Sequence, residues 1–254
     1  SDIRGFTTIS ENLGPQETVS LLNDYFTLMV DCIQNEGGML DKFIGDAIMA
    51  AFGMPVSHND DPDRAVRTAI EMIKELQRFN QENESKGRSP IEIGIGINTD
   101  VVVSGNIGSR KRMDFTVIGD GVNLASRLES ACKQYSALIL ISENTCNQLR
   151  GTYLMREADR VVVKGQSKPV AIYEVLEYHD ENSFPHAMEV IGHFKDGIKK
   201  YRNSEWDNAI EAFTKVLDLN NDDKLAQIYI DRCHHFKQQP PGEDWDGVWL
   251  MTSK

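Results

Sequence analysis

An α+β fold of the ferredoxin-like βαββαβ kind, followed by a smaller helical segment, is what this sequence predicts. Three observations carry it. Apolar residues recur at helical spacing in residues 15–36 and again in 61–80. Apolar runs flank Gly45-Asp46 as a hairpin would, and residues 91–98 alternate between apolar residues and small or polar ones. The order along the chain is strand, helix, two strands, helix, strands, helix, strand, which is that fold's plan elaborated at its end.

Residues 2–8 read as the end of a strand running into a turn at Gly5. Gly14-Pro15 opens the first helix, with Val19, Leu22, Phe26, Met29 or Val30, and Ile33 as its apolar face, and Gly37-Gly38 stops it. The hairpin of residues 39–52 follows. Residues 59–62 start a long helix with Ala65, Val66, Ala69, Ile73, Leu76 and Phe79 inward, and the polar run 81–89 reads as a loop. Gly94 and Gly96 in the strand 91–98 signal close approach of a neighbouring backbone. Strands are expected at 101–107 and 113–118 around a basic turn at 109–112. A helix at 119–133, with Leu124, Leu128 and Ala131 inward, comes next. Strands at 138–142, 153–158 and 171–176, with a short helix at 143–149, complete a first domain of residues 1–178. A polar linker covers 179–185. Residues 186–238 read as helices, and Gly197, Tyr201, Trp206, Ala209 and Phe213 fall at offsets resembling one tetratricopeptide repeat. Residues 239–254 form an irregular tail.

The chain has 254 residues and a net charge of −12, which argues against nucleic acid and anionic membranes as partners. An acidic protein that handles a polyanion must neutralise it locally, with metal ions or a few placed cations. The cysteines, Cys32, Cys132, Cys146 and Cys233, are scattered and support neither a disulfide framework nor a zinc site. No apolar run is long enough to span a bilayer, and a cytoplasmic setting is expected. The opening on Ser1-Asp2, without Met, reads as a fragment with regulatory domains upstream.

The chemistry lies at strand ends and turns. Asp2 ends the first strand and Asp46 sits at the hairpin tip. In a ferredoxin-like sheet these meet. Two carboxylates at one sheet end repel unless a divalent cation joins them, and oxygen ligands favour Mg2+, Mn2+ or Ca2+ over zinc. The backbone amides of Ile3, Phe6 and Thr7 beside the Gly5 turn are available to a phosphate. Asp2 by itself reads equally well as a turn residue.

Four motifs, DIRGFT (2–7), DKFIGDAIMAAF (41–52), TVIGDGVNLASRLE (116–129) and VVKGQSKPVAIYEV (162–175), occur in an order that resembles the catalytic domain of class III nucleotidyl cyclases. The resemblance covers residues 1 to about 177 and is strongest to cyanobacterial-type adenylyl cyclases, which are similar to the bicarbonate-responsive soluble enzymes. It implies that Asp2 and Asp46, with the backbone of Ile3, hold two divalent cations, Mg2+ with Mn2+ or Ca2+ as substitutes. It implies a ribose-positioning role for Asn123, transition-state stabilisation by Arg127 and triphosphate binding by Lys164. Lys42 and Thr116 match the purine-specifying pair. A Lys ammonium donates to adenine N1 and a Thr hydroxyl can accept from the 6-amino group, so ATP is favoured. The family splits each site between two subunits, so a head-to-tail homodimer is expected, with bicarbonate as a possible effector. A silent nucleotide-binding domain and a dimerising scaffold are the competing readings.

Overall fold

The structure, a computed structural model, describes residues 1–85, 87–161, 169–242 and 244–248. They fall into two compact units: Ser1–Lys133 with Leu138–Thr152, and Gln134–Ala137 with Tyr153–Lys254.

The first unit runs β1 (Asp2–Ile3), α1 (Phe6–Leu13), α2 (Pro15–Asn35), β2 (Met39–Ile44), β3 (Ala47–Ala51), α3 (Asp61–Ser85), β4 (Ile93–Ile97), β5 (Val103–Ser109), β6 (Arg112–Ile118), α4 (Asp120–Tyr135), β7 (Ile139–Ser142) and α5 (Glu143–Gln148). β1 pairs antiparallel with β4, and β4 runs parallel to β7. β2–β3 and β5–β6 are antiparallel hairpins. Reciprocal bonds of 2.9 Å between the backbones of Ser1 and Ile48 tie β1 to β3. Tyr25, Met29, Ile33, Val66, Ile73 and Ile93 are fully enclosed and form the core between α2, α3 and β4.

The turn at Gly45-Asp46 has the two-residue form expected, with Gly45 at φ 65°. α2 ends where Gly37-Gly38 predicts: the Gly38 amide donates back to the Ile33 carbonyl, closing the last turn. The β4 glycines also behave as read. A Cβ on Gly96 would stand 2.2 Å from the carbonyl oxygen of Ala125, so only glycine lets α4 lie this close to the sheet.

Three expectations are corrected. Residues 6–13 form a helix instead of continuing the turn, because Gly5, at φ 62°, reverses the chain directly into α1. The buried face of α2 is Leu21, Tyr25, Met29, Cys32 and Ile33; Val19 is exposed, and Phe26 stacks on Phe43 with ring centroids 4.1 Å apart. This helix carries two apolar stripes, and spacing does not say which faces the core. The polar run after Phe79 stays helical to Ser85, with Asn83 buried.

The second unit holds β8 (Met155–Val161) and β9 (Val170–Val175), an antiparallel pair, and α6 (Ala187–Arg202), α7 (Trp206–Leu219) and α8 (Lys224–Gln238). Phe194, Tyr201, Phe213 and Tyr229 interlock at ring distances of 5.1–5.7 Å. Gly197 lets α6 close on the Phe213 ring, which a Cβ would meet at 2.6 Å. The sequence break at 179–185 therefore lies inside this unit: packing groups β8 and β9 with the helices.

Buried charge accounts for that grouping. Arg156 on β8 donates to Glu174 on β9 at 2.7 Å and to Asp223, the N-cap of α8, at 2.5 Å. Its guanidinium lies 4.5 Å from the centroid of the Phe194 ring. Arg232 on α8 donates to Asp159 on β8 at 2.7 Å, and Tyr135 Oη donates to the same carboxylate oxygen at 2.9 Å.

His179, packed between Tyr178 and Phe184, has its pKa pushed down to about 4 by burial and by the positive charge of Arg156. The unfolded chain therefore binds this proton more readily than the folded one between about pH 6.5 and 4. Stability of this unit is expected to be constant above that window and to fall within it as pH drops. The loss is at most about 2 kcal/mol, since solvent screens a half-buried ring. Thermal melts of wild type and His179→Gln across pH 4–7 check this, and the Gln variant should lack that component.

Candidate active site

β1 and the β2–β3 turn bring Asp2 and Asp46 together. The Asp46 carboxyl is held above its ordinary pKa by burial first and by the adjacent Asp2 charge second, while the Ile3 amide partly stabilises its ionised form. Both carboxylates offer hard oxygen atoms, and a divalent cation between them would cancel the repulsion that raises Asp46. The donor set fits such an ion. Among the described residues no group of three or more His, Cys, Asp or Glu side chains is assembled for a metal. Mg2+-type ions take one or two carboxylates and complete their shell with phosphate oxygens and water, a demand that the two carboxylates match.

α1 begins at Phe6, so the Phe6 and Thr7 amides fall in its first turn, where no intrahelical acceptor exists. A helix start is the kind of place where backbone amides can receive an anion. Arg4 lies 3.7 Å from Glu129 on α4, linking this loop to that helix. The Glu129 carboxyl is raised by burial and by the nearby Asp2 charge.

Lys42 and Thr116 meet at a third residue. Thr116 Oγ1 donates to Asp41 Oδ2 at 2.9 Å, and Lys42 Nζ lies 3.3 Å from the same oxygen. Consecutive strand residues normally point to opposite faces. Here the β2–β3 register shifts between Leu40 and Lys42, leaving Asp41 as the extra residue of a bulge. The bulge re-aims the side chain, so Asp41 and Lys42 both serve the same place.

Asn123 and Arg127 are exposed on α4, four residues apart and thus on one face. Lys164 lies outside the described residues. The structure therefore joins Asp2 to Asp46 and Lys42 to Thr116, and sets Asn123 above Arg127. The sequence reading gave no role to Asp41, Arg4 or Glu129. An Asp inside an otherwise apolar strand was the available signal for the first of these.

The sequence profile described as the adenylate and guanylate cyclase catalytic domain matches residues 1–177. The terminal-differentiation specific adenylate cyclase of Dictyostelium discoideum is 36% identical over 241 residues, covering 92% of this chain and 11% of that protein. The adenylate cyclase of Anabaena cylindrica is 42% identical over 181 residues, 68% of this chain and 35% of its own. The chain thus spans only 11–35% of the length of these relatives. Among solved structures, the adenylyl cyclase CyaB from P. aeruginosa matches with TM-score 0.64 and 42% identity, over 69% of this chain and 90% of that one. The guanylyl cyclase Cya2 matches with TM-score 0.62 and 44% identity, over 68% and 87%. By its motifs, its fold and these matches, this chain belongs to the adenylate and guanylate cyclase catalytic domain family.

Proposed function

We propose that this chain converts ATP to 3′,5′-cyclic AMP and pyrophosphate. The observation that carries the reading is the Lys42–Thr116 pair gathered on one carboxylate, a base site with a donor and a hydroxyl at adenine's N1 and 6-amino positions.

In this reading the ribose 3′-hydroxyl gives up its proton to water and its oxygen attacks the α-phosphorus in line. The bond from that phosphorus to the oxygen bridging to the β-phosphate breaks, and pyrophosphate leaves with the electron pair. Asn123 orients the ribose, and Arg127 donates to the charge growing on the α-phosphate and the leaving oxygen. The Phe6 and Thr7 amides and Lys164 bind the triphosphate. Asp2 and Asp46, with the Ile3 backbone, hold two cations, Mg2+ or Mn2+, which supply Lewis acidity toward the 3′-hydroxyl and the triphosphate.

The working form is a head-to-tail homodimer. Phe43 and Ile44 on β2, Val103 on β5, and Met113, Phe115 and Ile118 on β6 are exposed large apolar residues on the two hairpins, a surface suited to a second copy. Bicarbonate as an effector, upstream regulatory domains and a cytoplasmic setting belong to the same reading. So does a tetratricopeptide-like role for the α6–α7 pair. No helix among the described residues is long and apolar enough to cross a membrane.

The test is direct. Purified chain with ATP or GTP and Mg2+ or Mn2+ is expected to form cyclic AMP with ATP as the better substrate. Product at background overturns the enzyme reading, and a preference for GTP overturns the assignment of the base.

A further inference from the structure

We propose that Asp41 is a positioning residue for nucleotide choice: it takes the one hydroxyl proton of Thr116 and leaves that hydroxyl as an acceptor only. The inference rests on the adenylyl cyclase reading and sharpens its base site.

The need for such a residue follows from the chemistry of the pair. A Lys ammonium only donates, so it suits adenine N1, and with guanine it must leave the N1–H and turn to O6. A Thr hydroxyl donates one hydrogen bond and accepts others. Free to rotate, it serves the 6-amino group of adenine by accepting and the O6 of guanine by donating. With the hydroxyl free, only Lys42 at N1 discriminates, pairing with adenine N1 and facing the N1–H of guanine. Discrimination at the 6-position requires that something fix the direction of the hydroxyl, because a site is selective when the wrong base leaves a polar group unpaired.

Asp41 meets that requirement. Its carboxylate accepts and cannot donate, and its Oδ2 sits 2.9 Å from Thr116 Oγ1. Thr116 is only 6% exposed and the Asp41 side chain has no exposed surface, so water does not compete for the proton. The same oxygen lies 3.3 Å from Lys42 Nζ and steadies the second base contact. The other oxygen, Oδ1, is buried with no hydrogen-bond partner among the described residues. A carboxylate half unsatisfied is a poor structural device, since each unpaired buried acceptor carries a desolvation penalty. The bulge adds a second departure from regular pairing at the same residue. Both departures are accounted for by the task of holding Thr116 and Lys42.

The experiment measures kcat and KM for ATP and for GTP in wild type, Asp41→Ala and Asp41→Asn, with melting curves to certify folding. In Asp41→Ala the freed hydroxyl donates to guanine O6. The ATP:GTP ratio of kcat/KM is expected to fall about tenfold, mainly through KM, with kcat for ATP within about threefold. Asp41→Asn keeps an acceptor beside Thr116, with its amide group in the partnerless Oδ1 position, and should stay within about threefold of the wild-type ratio. A structural role alone would lower both substrates together and leave the ratio unmoved. An unchanged ratio in Asp41→Ala, or equal ratios in the Ala and Asn variants, overturns the proposal while wild type still makes cyclic AMP. If wild type makes none, the activity reading and this inference fall together. Should Asp41→Ala not fold, Thr116→Val is read instead: the ratio must fall there too, and an unchanged ratio overturns the proposal.

Discussion

Mixing chains that carry Asp46→Ala with chains that carry Arg127→Ala is expected to restore activity that neither has alone. Each single variant loses a group that the proposed mechanism sets at the reacting phosphates, and a drop of at least ~10²–10³-fold in kcat is expected for each. A shared-site dimer assembles one site from Asp2 and Asp46 of one chain and Arg127 of the other. In a heterodimer one site then has both groups and the other has neither. With random exchange half the dimers are mixed, and the recovered rate approaches about a quarter of wild type, set by the two-fold symmetry. Steady-state cyclic AMP formation against mixing ratio measures this. Dimers that exchange, by size-exclusion chromatography of tagged chains, yet recover nothing would show that each chain works by itself.

Asp223→Ala is expected to cost the second unit about 3–5 kcal/mol, among the largest effects of any single substitution outside the site. Asp223 caps α8 by accepting from the Ala226 amide at 3.0 Å, and it takes one of the two charge-assisted bonds of Arg156. The Arg156 side chain is 5% exposed and that of Asp223 is fully buried. Removing the carboxylate therefore leaves a buried guanidinium half paired and a helix end uncapped. A chain ending after residue 177 suffers more, because it takes away Asp223 and Arg232 together and leaves Arg156 and Asp159 on β8 short of partners. Chemical denaturation of Asp223→Ala, Asp223→Asn and the shortened chain reads the result. A loss below about 1 kcal/mol in Asp223→Ala would show that water replaces the lost bond.

What the sequence made legible is what short-range physics dictates. The 39–51 hairpin was readable because a two-residue turn with positive φ calls for Gly45. Close approach of a neighbouring backbone to β4 was readable from Gly96, which makes sense only where a neighbour leaves no room; that the neighbour is α4 was not. Asp2 and Asp46 could be paired because the strand order predicted their meeting. Other features had no local signature. The start of α1 after Gly5 was hidden by Thr7, Thr8 and Ile9, β-branched residues with weak helical preference. The core face of α2 depends on which of two stripes its neighbours cover. The grouping of β8 and β9 with the helices rests on Arg156–Asp223 and Arg232–Asp159, contacts between residues distant in sequence. The role of Asp41 depends on a bulge, and a bulge breaks the very alternation from which strands are read.

That bulge also constrains how the gene can drift. Side chains alternate along a strand, so a regular ribbon is indifferent to which residue occupies a position but not to how many there are. The extra residue in β2 sets the phase of Lys42, Phe43 and Ile44 against Met39 and Leu40. Deleting Leu40 or Asp41 would let the ribbon pair regularly from the turn, with Lys42 still opposite Met49, and would abolish the bulge. Asp41 would then be lost or would take the place of Leu40 opposite Ala50, away from Thr116, while Lys42 keeps its face. In this hairpin single-codon insertions and deletions are therefore expected to be far more damaging than substitutions, and the length of the β2–β3 ribbon is itself a functional property.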